Sequence, residues 1–107
     1  MILAQVLGTV VSTRKDGGLM GLKLLYVREV DTAFAPTGNV LVAADACGAG
    51  SDEIVLVAAG SSARMTEVTR EKPVDAVICG IVDVIEVGGR DVYLKHAATA
   101  AGRKAPA

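Results

Sequence analysis

From Ile2 to Thr13 the side chains alternate. Ile2, Ala4, Val6, Gly8 and Val10 share one face, while Leu3 and Leu7 mix with Gln5, Thr9 and Thr13 on the other. Successive strand residues point to opposite faces, so the pattern predicts a long strand with one core face. Asp16-Gly17-Gly18 supplies turn chemistry, because glycine reaches positive φ at no steric cost, and 22–30 follows as a second strand. The two are expected to pair as a hairpin with a generous loop. Ala35-Pro36-Thr37-Gly38-Asn39 breaks the pattern. Beyond it, 40–44 and 53–58 read as short buried strands, joined by Cys47-Gly48-Ala49-Gly50-Ser51-Asp52.

After Gly60, residues 62–69 have room for about two helical turns, with Ser61 as N-cap and Lys72-Pro73 as the stop. Strand character returns over 77–87, where Gly80 predicts a bend or a close backbone approach. Gly88-Gly89 is a two-residue hairpin signal leading into 91–95. This order predicts a mainly all-β fold: a small five- to six-stranded OB-like β-barrel with one short helix between the fourth and fifth strands. Closure also removes the exposed edges that valine-rich strands would otherwise present. The barrel is assigned to 1–96 as a single domain. The Ala-rich tail, 97–107, has too little bulk for a core and is expected to be flexible or a short docking helix.

Composition sharpens the picture. The chain has 107 residues, of which 51% are hydrophobic. That apolar content is aliphatic, with 16 Val and 17 Ala against one Phe, two Tyr and no Trp. Mean hydropathy is +0.46. A domain this small buries only about two thirds of its chain surface, so part of the apolar surplus is expected in a subunit interface. With 11 Lys and Arg against 12 Asp and Glu, net charge is −1 and no basic stripe forms. Single-stranded nucleic acid, which OB barrels often bind through aromatic platforms and a basic groove, is therefore disfavoured. The opening apolar run is interrupted by Gln5 and Thr9 and is too short to span a bilayer, so neither a signal peptide nor a membrane segment is predicted.

Candidate chemistry is sparse. Gly48-Ala49-Gly50 is placed between strands, whereas phosphate cradles run from a strand into a helix. Gly60-Ser61-Ser62-Ala63-Arg64 lacks the second glycine of a nucleophile elbow. Asp45 and Asp83 each end an apolar stretch, and would make a carboxylate pair if their strands were neighbours; more simply, such residues pair with Arg or with backbone amides at a strand end, Arg64 being a candidate partner, within the chain or across a subunit boundary. Cys47 and Cys79 are far apart in sequence with no C-x-x-C, which supports neither a disulfide framework nor zinc and fits a reducing cytosol. Cys79 reads as a small core residue and His96 as a solvated strand end, so no metal, cofactor or catalytic set is predicted.

An ordered run of motifs carries a resemblance. It comprises Ala4-Gln5-Val6-Leu7-Gly8-Thr9-Val10-Val11, Leu22-Lys23-Leu24-Leu25, Val42-Ala43-Ala44-Asp45, the 48–57 segment GAGSDEIVLV, Gly60-Ser61-Ser62-Ala63-Arg64, Lys72-Pro73-Val74-Asp75-Ala76 and Gly80-Ile81-Val82-Asp83. Together, from Met1 to about Val87, these resemble the EutN/CcmL-type vertex proteins of bacterial microcompartments. Family members usually carry glycine where this chain has Asp52. The resemblance implies an OB-like barrel that assembles into a homopentamer, meets hexameric shell proteins and caps the vertices of a polyhedral shell in the bacterial cytoplasm. It implies a structural protein with no cofactor, not an enzyme. Asp45, Gly48, Ala49, Gly50, Ser61, Ser62, Arg64 and Asp83 are expected at or near the subunit boundary. The alternative is an OB-like oligomeric module that binds a small ligand or single-stranded nucleic acid.

Overall fold

In the computed structural model, which describes residues 1–95, the alternation of the opening segment becomes β1 (Ile2–Val10). Its Ala4 and Val6 are fully buried. A register shift between Val6 and Gly8 leaves Leu7 as an extra residue, a bulge that bends the strand around the barrel. The remaining strands are β2 (Leu24–Val30), β3 (Pro36–Asp45), β4 (Ile54–Ala59) and β5 (Ala76–Ile81), followed by a separate ribbon of β6 (Val84–Val87) and β7 (Arg90–Leu94). Antiparallel pairing joins β1 to both β2 and β4, β2 to β3, and β4 to β5. A short parallel contact, Ala44 with Val77 and Asp45 with Ile78, closes the barrel in the order β1-β2-β3-β5-β4.

The interior is built from small aliphatic residues, as the narrow bore of a five-stranded barrel demands: Ala4, Val6, Leu25, Val27, Ala43, Val55, Val57 and Ile78. A second cluster of Val30, Phe34, Ile54 and Tyr93 docks the β6–β7 ribbon on the barrel. The Phe34 and Tyr93 rings lie 5.4 Å apart and tilted by 50°. Phe34 holds φ at 61°, a conformation costly for a bulky side chain, which its ring burial offsets. Ala44, Ala63 and Val77 form a third cluster under the turn that follows β4. At the ribbon's own turn, Gly88 and Gly89 both take positive φ, as the two-residue hairpin requires.

Three expectations change in detail. The helix expected over 62–69 is a single 3-10 turn, Gly60–Arg64. Ser61 caps nothing; Ala59 occupies the cap position, and Ser62 Oγ donates to the Ala59 carbonyl at 2.8 Å. Downstream, the Thr66 and Thr69 hydroxyls take over local bonding. Thr66 Oγ1 accepts from Thr69 N–H, and Thr69 Oγ1 donates to the Ala63 carbonyl, which diverts the backbone from a helix. The stretch 36–39, expected to be a break, is the first part of β3. Because β3 meets β5 only at Ala44 and Asp45, its start is an edge, where proline's missing N–H costs no ladder bond. The single strand expected over 77–87 is interrupted at Val82 and Asp83, where the Val82 N–H donates to the Ile54 carbonyl instead. Gly80 behaves as anticipated: a Cβ there would sit 3.3 Å from Leu56 Cδ1, beside the bulge between Leu56 and Val57. His96 and the 97–107 tail lie outside the described residues.

Candidate functional site

Asp45 ends β3 with a side chain only 2% exposed. A carboxylate there must be satisfied locally, and the glycine loop does this. Oδ1 accepts from the N–H groups of Cys47 at 3.1 Å, Gly48 at 3.0 Å and Ala49 at 3.2 Å, while Oδ2 accepts from Ala49 at 3.0 Å. Lys23 Nζ stands 3.8 Å from Oδ2 and donates to the Ala49 carbonyl at 3.4 Å. Gly48, at φ 78°, supplies the left-handed residue that lets three successive N–H groups converge. The nest is therefore filled by the chain's own carboxylate.

The loop's far end is tied down in the same manner. Glu53 accepts from the Gly50 N–H through Oε1 and from Lys95 Nζ through Oε2. Burial alone would push the Glu53 carboxyl up, but the Lys95 and Gly50 hydrogen bonds and the Lys95 charge outweigh it and hold it below its ordinary value. Lys95 is raised in turn, chiefly by the hydrogen bond to Glu53. Asp52 holds φ at 67° and donates its N–H to the Val6 carbonyl at 2.9 Å. The loop thus keeps the left-handed conformation that glycine would adopt there, and Asp is among the few side chains that tolerate it.

Several expected partnerships change. Ala49 is 1% exposed and belongs to the barrel interior, where its side chain seals the core. Asp45 takes the backbone amides expected at a strand end, from its own loop, and within the chain its cation is Lys23. Arg64 is exposed, and its Nη1 donates to the Val74 carbonyl at 3.2 Å. Asp45 and Asp83 are not ladder neighbours: Asp45 sits opposite Ile78, and Asp83 lies beyond the end of β5. Gly48, Gly50, Ser61, Ser62 and Asp83 are exposed. Cys79 is exposed on β5 rather than in the core, and Cys47 is exposed at the loop. Burial first, then the Asp45 charge, raises the Cys47 thiol above its ordinary value. Among the described residues no group of three or more His, Cys, Asp or Glu could hold a metal, and no helix is long and apolar enough to cross a membrane.

One surface was missed by motif reading. On the outward face of β1–β3, cross-strand register aligns Gly8, Tyr26 and Val42 in one row and Gln5, Arg28 and Val40 in the next. Tyr26, Val40 and Val42 are 39%, 53% and 43% exposed, with Leu7 at 40% in the adjoining bulge. Arg28 is pinned flat across the second row by two bonds to Gln5 Oε1, at 3.1 and 2.8 Å. The 3-10 turn covers the Leu24–Ala44 end of this face, and among the described residues the rest is left bare. The signal was available. Leu24-Leu25-Tyr26-Val27 and Val40-Leu41-Val42-Ala43 are apolar on both faces, as strands buried on both sides are.

Comparison with known proteins fits this geometry. Residues 1–83 match the family described as "Ethanolamine utilisation protein EutN/carboxysome". The carboxysome shell vertex protein CcmL of Synechocystis is 47% identical over 96 residues, covering 90% of this chain and 96% of that protein. The solved structure of Gloeobacter violaceus CcmL superposes with a TM-score of 0.85 at 43% identity, covering 90% of this chain and 99% of the other. The pentameric microcompartment shell protein GrpN from Rhodospirillum rubrum gives a TM-score of 0.75 at 45% identity over 81% of this chain and 99% of the other.

Proposed function

The chain belongs to the EutN/CcmL family of microcompartment shell proteins, and from that membership we propose that it forms a homopentamer that caps the vertices of a bacterial microcompartment shell. The observation that carries this is likeness to shell vertex proteins across nearly the whole barrel, at 47% identity and a TM-score of 0.85. The work of such a protein is geometric rather than catalytic. Hexagonal tiles pave a flat sheet, and five-fold units at the corners supply the curvature that closes it around encapsulated enzymes. Hexameric shell proteins are therefore its partners.

A five-fold ring uses a heterologous interface, so each subunit must offer two different surfaces to identical neighbours. The first is the bare outer face of β1–β3, with Leu7, Tyr26, Val40 and Val42. Its apolar exposure, in a chain with a positive mean hydropathy, supports this role. The second is the turn and loop side, with Gly48, Gly50, Ser61, Ser62, Arg64 and Asp83, flanked by Met65 and Val68, which are 80% and 41% exposed. Asp45 and Ala49 support that surface from beneath by fixing the loop. Co-expression with a hexameric shell protein of the same compartment tests the function. Closed polyhedra that become open or elongated when this chain is omitted support it, and shells that close equally well without it contradict it.

A further inference from the structure

The two cysteines, distant in sequence, are brought together by the closure of the barrel. β3 and β5 run parallel with Asp45 opposite Ile78, and the Ala46 N–H continues the ladder to the Ile78 carbonyl at 3.1 Å. Cys47 Sγ lies 3.7 Å from that same carbonyl oxygen, whose peptide leads directly into Cys79. Cys79 falls in the irregularity between the Val57–Ile78 and Leu56–Gly80 pairs, so it has no ladder partner on β4. Its Sγ makes only a weak contact with the Leu56 carbonyl, at 3.6 Å. Both residues are exposed, so an oxidant can reach them. The register sets Ala46 opposite Cys79 and Cys47 one residue beyond, a diagonal of about 6 Å between strands about 4.8 Å apart, within the Cα separations of about 4.4–6.8 Å that disulfides bridge. Cys79 Sγ, in contact with Leu56 on β4, has to turn toward β3 for the bond to form.

We propose that Cys47 and Cys79 form a dithiol site that closes into an intrachain disulfide, pinning the glycine loop to β5. The reaction is thiol–disulfide exchange with a low-molecular-weight disulfide such as oxidised glutathione. One cysteine thiolate attacks a glutathione sulfur, giving a mixed disulfide and one released glutathione thiolate. The other cysteine, once deprotonated, attacks the protein sulfur of the mixed disulfide and releases the second glutathione. The protein dithiol loses two electrons and two protons, and the glutathione disulfide gains them as two thiols. The proximity of the thiols accords with the Cys79 charge being among the influences that raise the Cys47 thiol. The pair makes the loop that wraps Asp45 responsive to redox state.

Incubation of the full chain with oxidised glutathione, followed by non-reducing electrophoresis and peptide mapping, is the test. The expected result is a single-chain species with no titratable thiol, a peptide pair joining Cys47 to Cys79, and a thermal midpoint raised by several degrees that dithiothreitol reverses. Cys47→Ser and Cys79→Ser proteins should each stop at one glutathione adduct and show no such rise. Two glutathione adducts on the wild-type chain, disulfide-linked dimers, or two unreacted thiols would each overturn the proposal.

Discussion

Removing the Asp45 carboxylate would strand the N–H groups of Cys47, Gly48 and Ala49 beside the barrel core and leave Lys23 without its anion. Asp45→Ala is accordingly expected to lower the unfolding free energy by about 2–3 kcal/mol, read from denaturant titration; a loss under 0.5 kcal/mol would show that water replaces the side chain at no penalty. Glu53 gives a pH-dependent counterpart. Its folded pKa is depressed below 4.5, so its contribution is fully present above that value and is lost as pH falls through the folded pKa. Lys95 is raised above 10.5, so its share persists below that value and is lost as pH rises through the folded pKa. The thermal midpoint of Glu53→Gln should lie below that of the wild type near neutrality and converge with it in acid; a constant gap would contradict the pairing. At this scale the sequence exposed residue types but not partners. The tie between Asp45 and its own loop depends on the left-handed turn at Gly48, and nothing in the spacing separated Lys23 from Arg64 as its cation.

The β6–β7 ribbon shares no strand ladder with the barrel and is held by the Val30, Phe34, Ile54 and Tyr93 cluster. Phe34→Ala should therefore cost about 3–4 kcal/mol and speed amide exchange most strongly within Val84–Leu94. Uniform loss of protection across barrel and ribbon would mean that the ribbon is not a separable unit. The five barrel strands and the Gly88-Gly89 turn were legible because alternation and paired glycines are local signals. The start of β3 was not, since the exposed segment Pro36-Thr37-Gly38-Asn39 forms strand only through pairing with β2. The turn after β4 was legible as an interruption but not in type, because threonine hydroxyls compete for backbone groups in ways that composition does not reveal.

At the scale of the whole molecule, the apolar surplus visible in the composition lies on a definite face, which only the cross-strand register identifies. If that face packs against the next copy, a charge placed in its centre must be desolvated without a partner. Tyr26→Glu should keep the barrel's β-type circular dichroism and weaken subunit association by about thirtyfold or more, followed by sedimentation across a dilution series. Association as tight as that of the wild type would move the contact elsewhere. Native mass spectrometry reads the closed five-fold ring itself. Five copies of a 10.9 kDa chain predict a dominant species at about 55 kDa. A monomer persisting across micromolar concentrations, or a dominant dimer or hexamer, would contradict it.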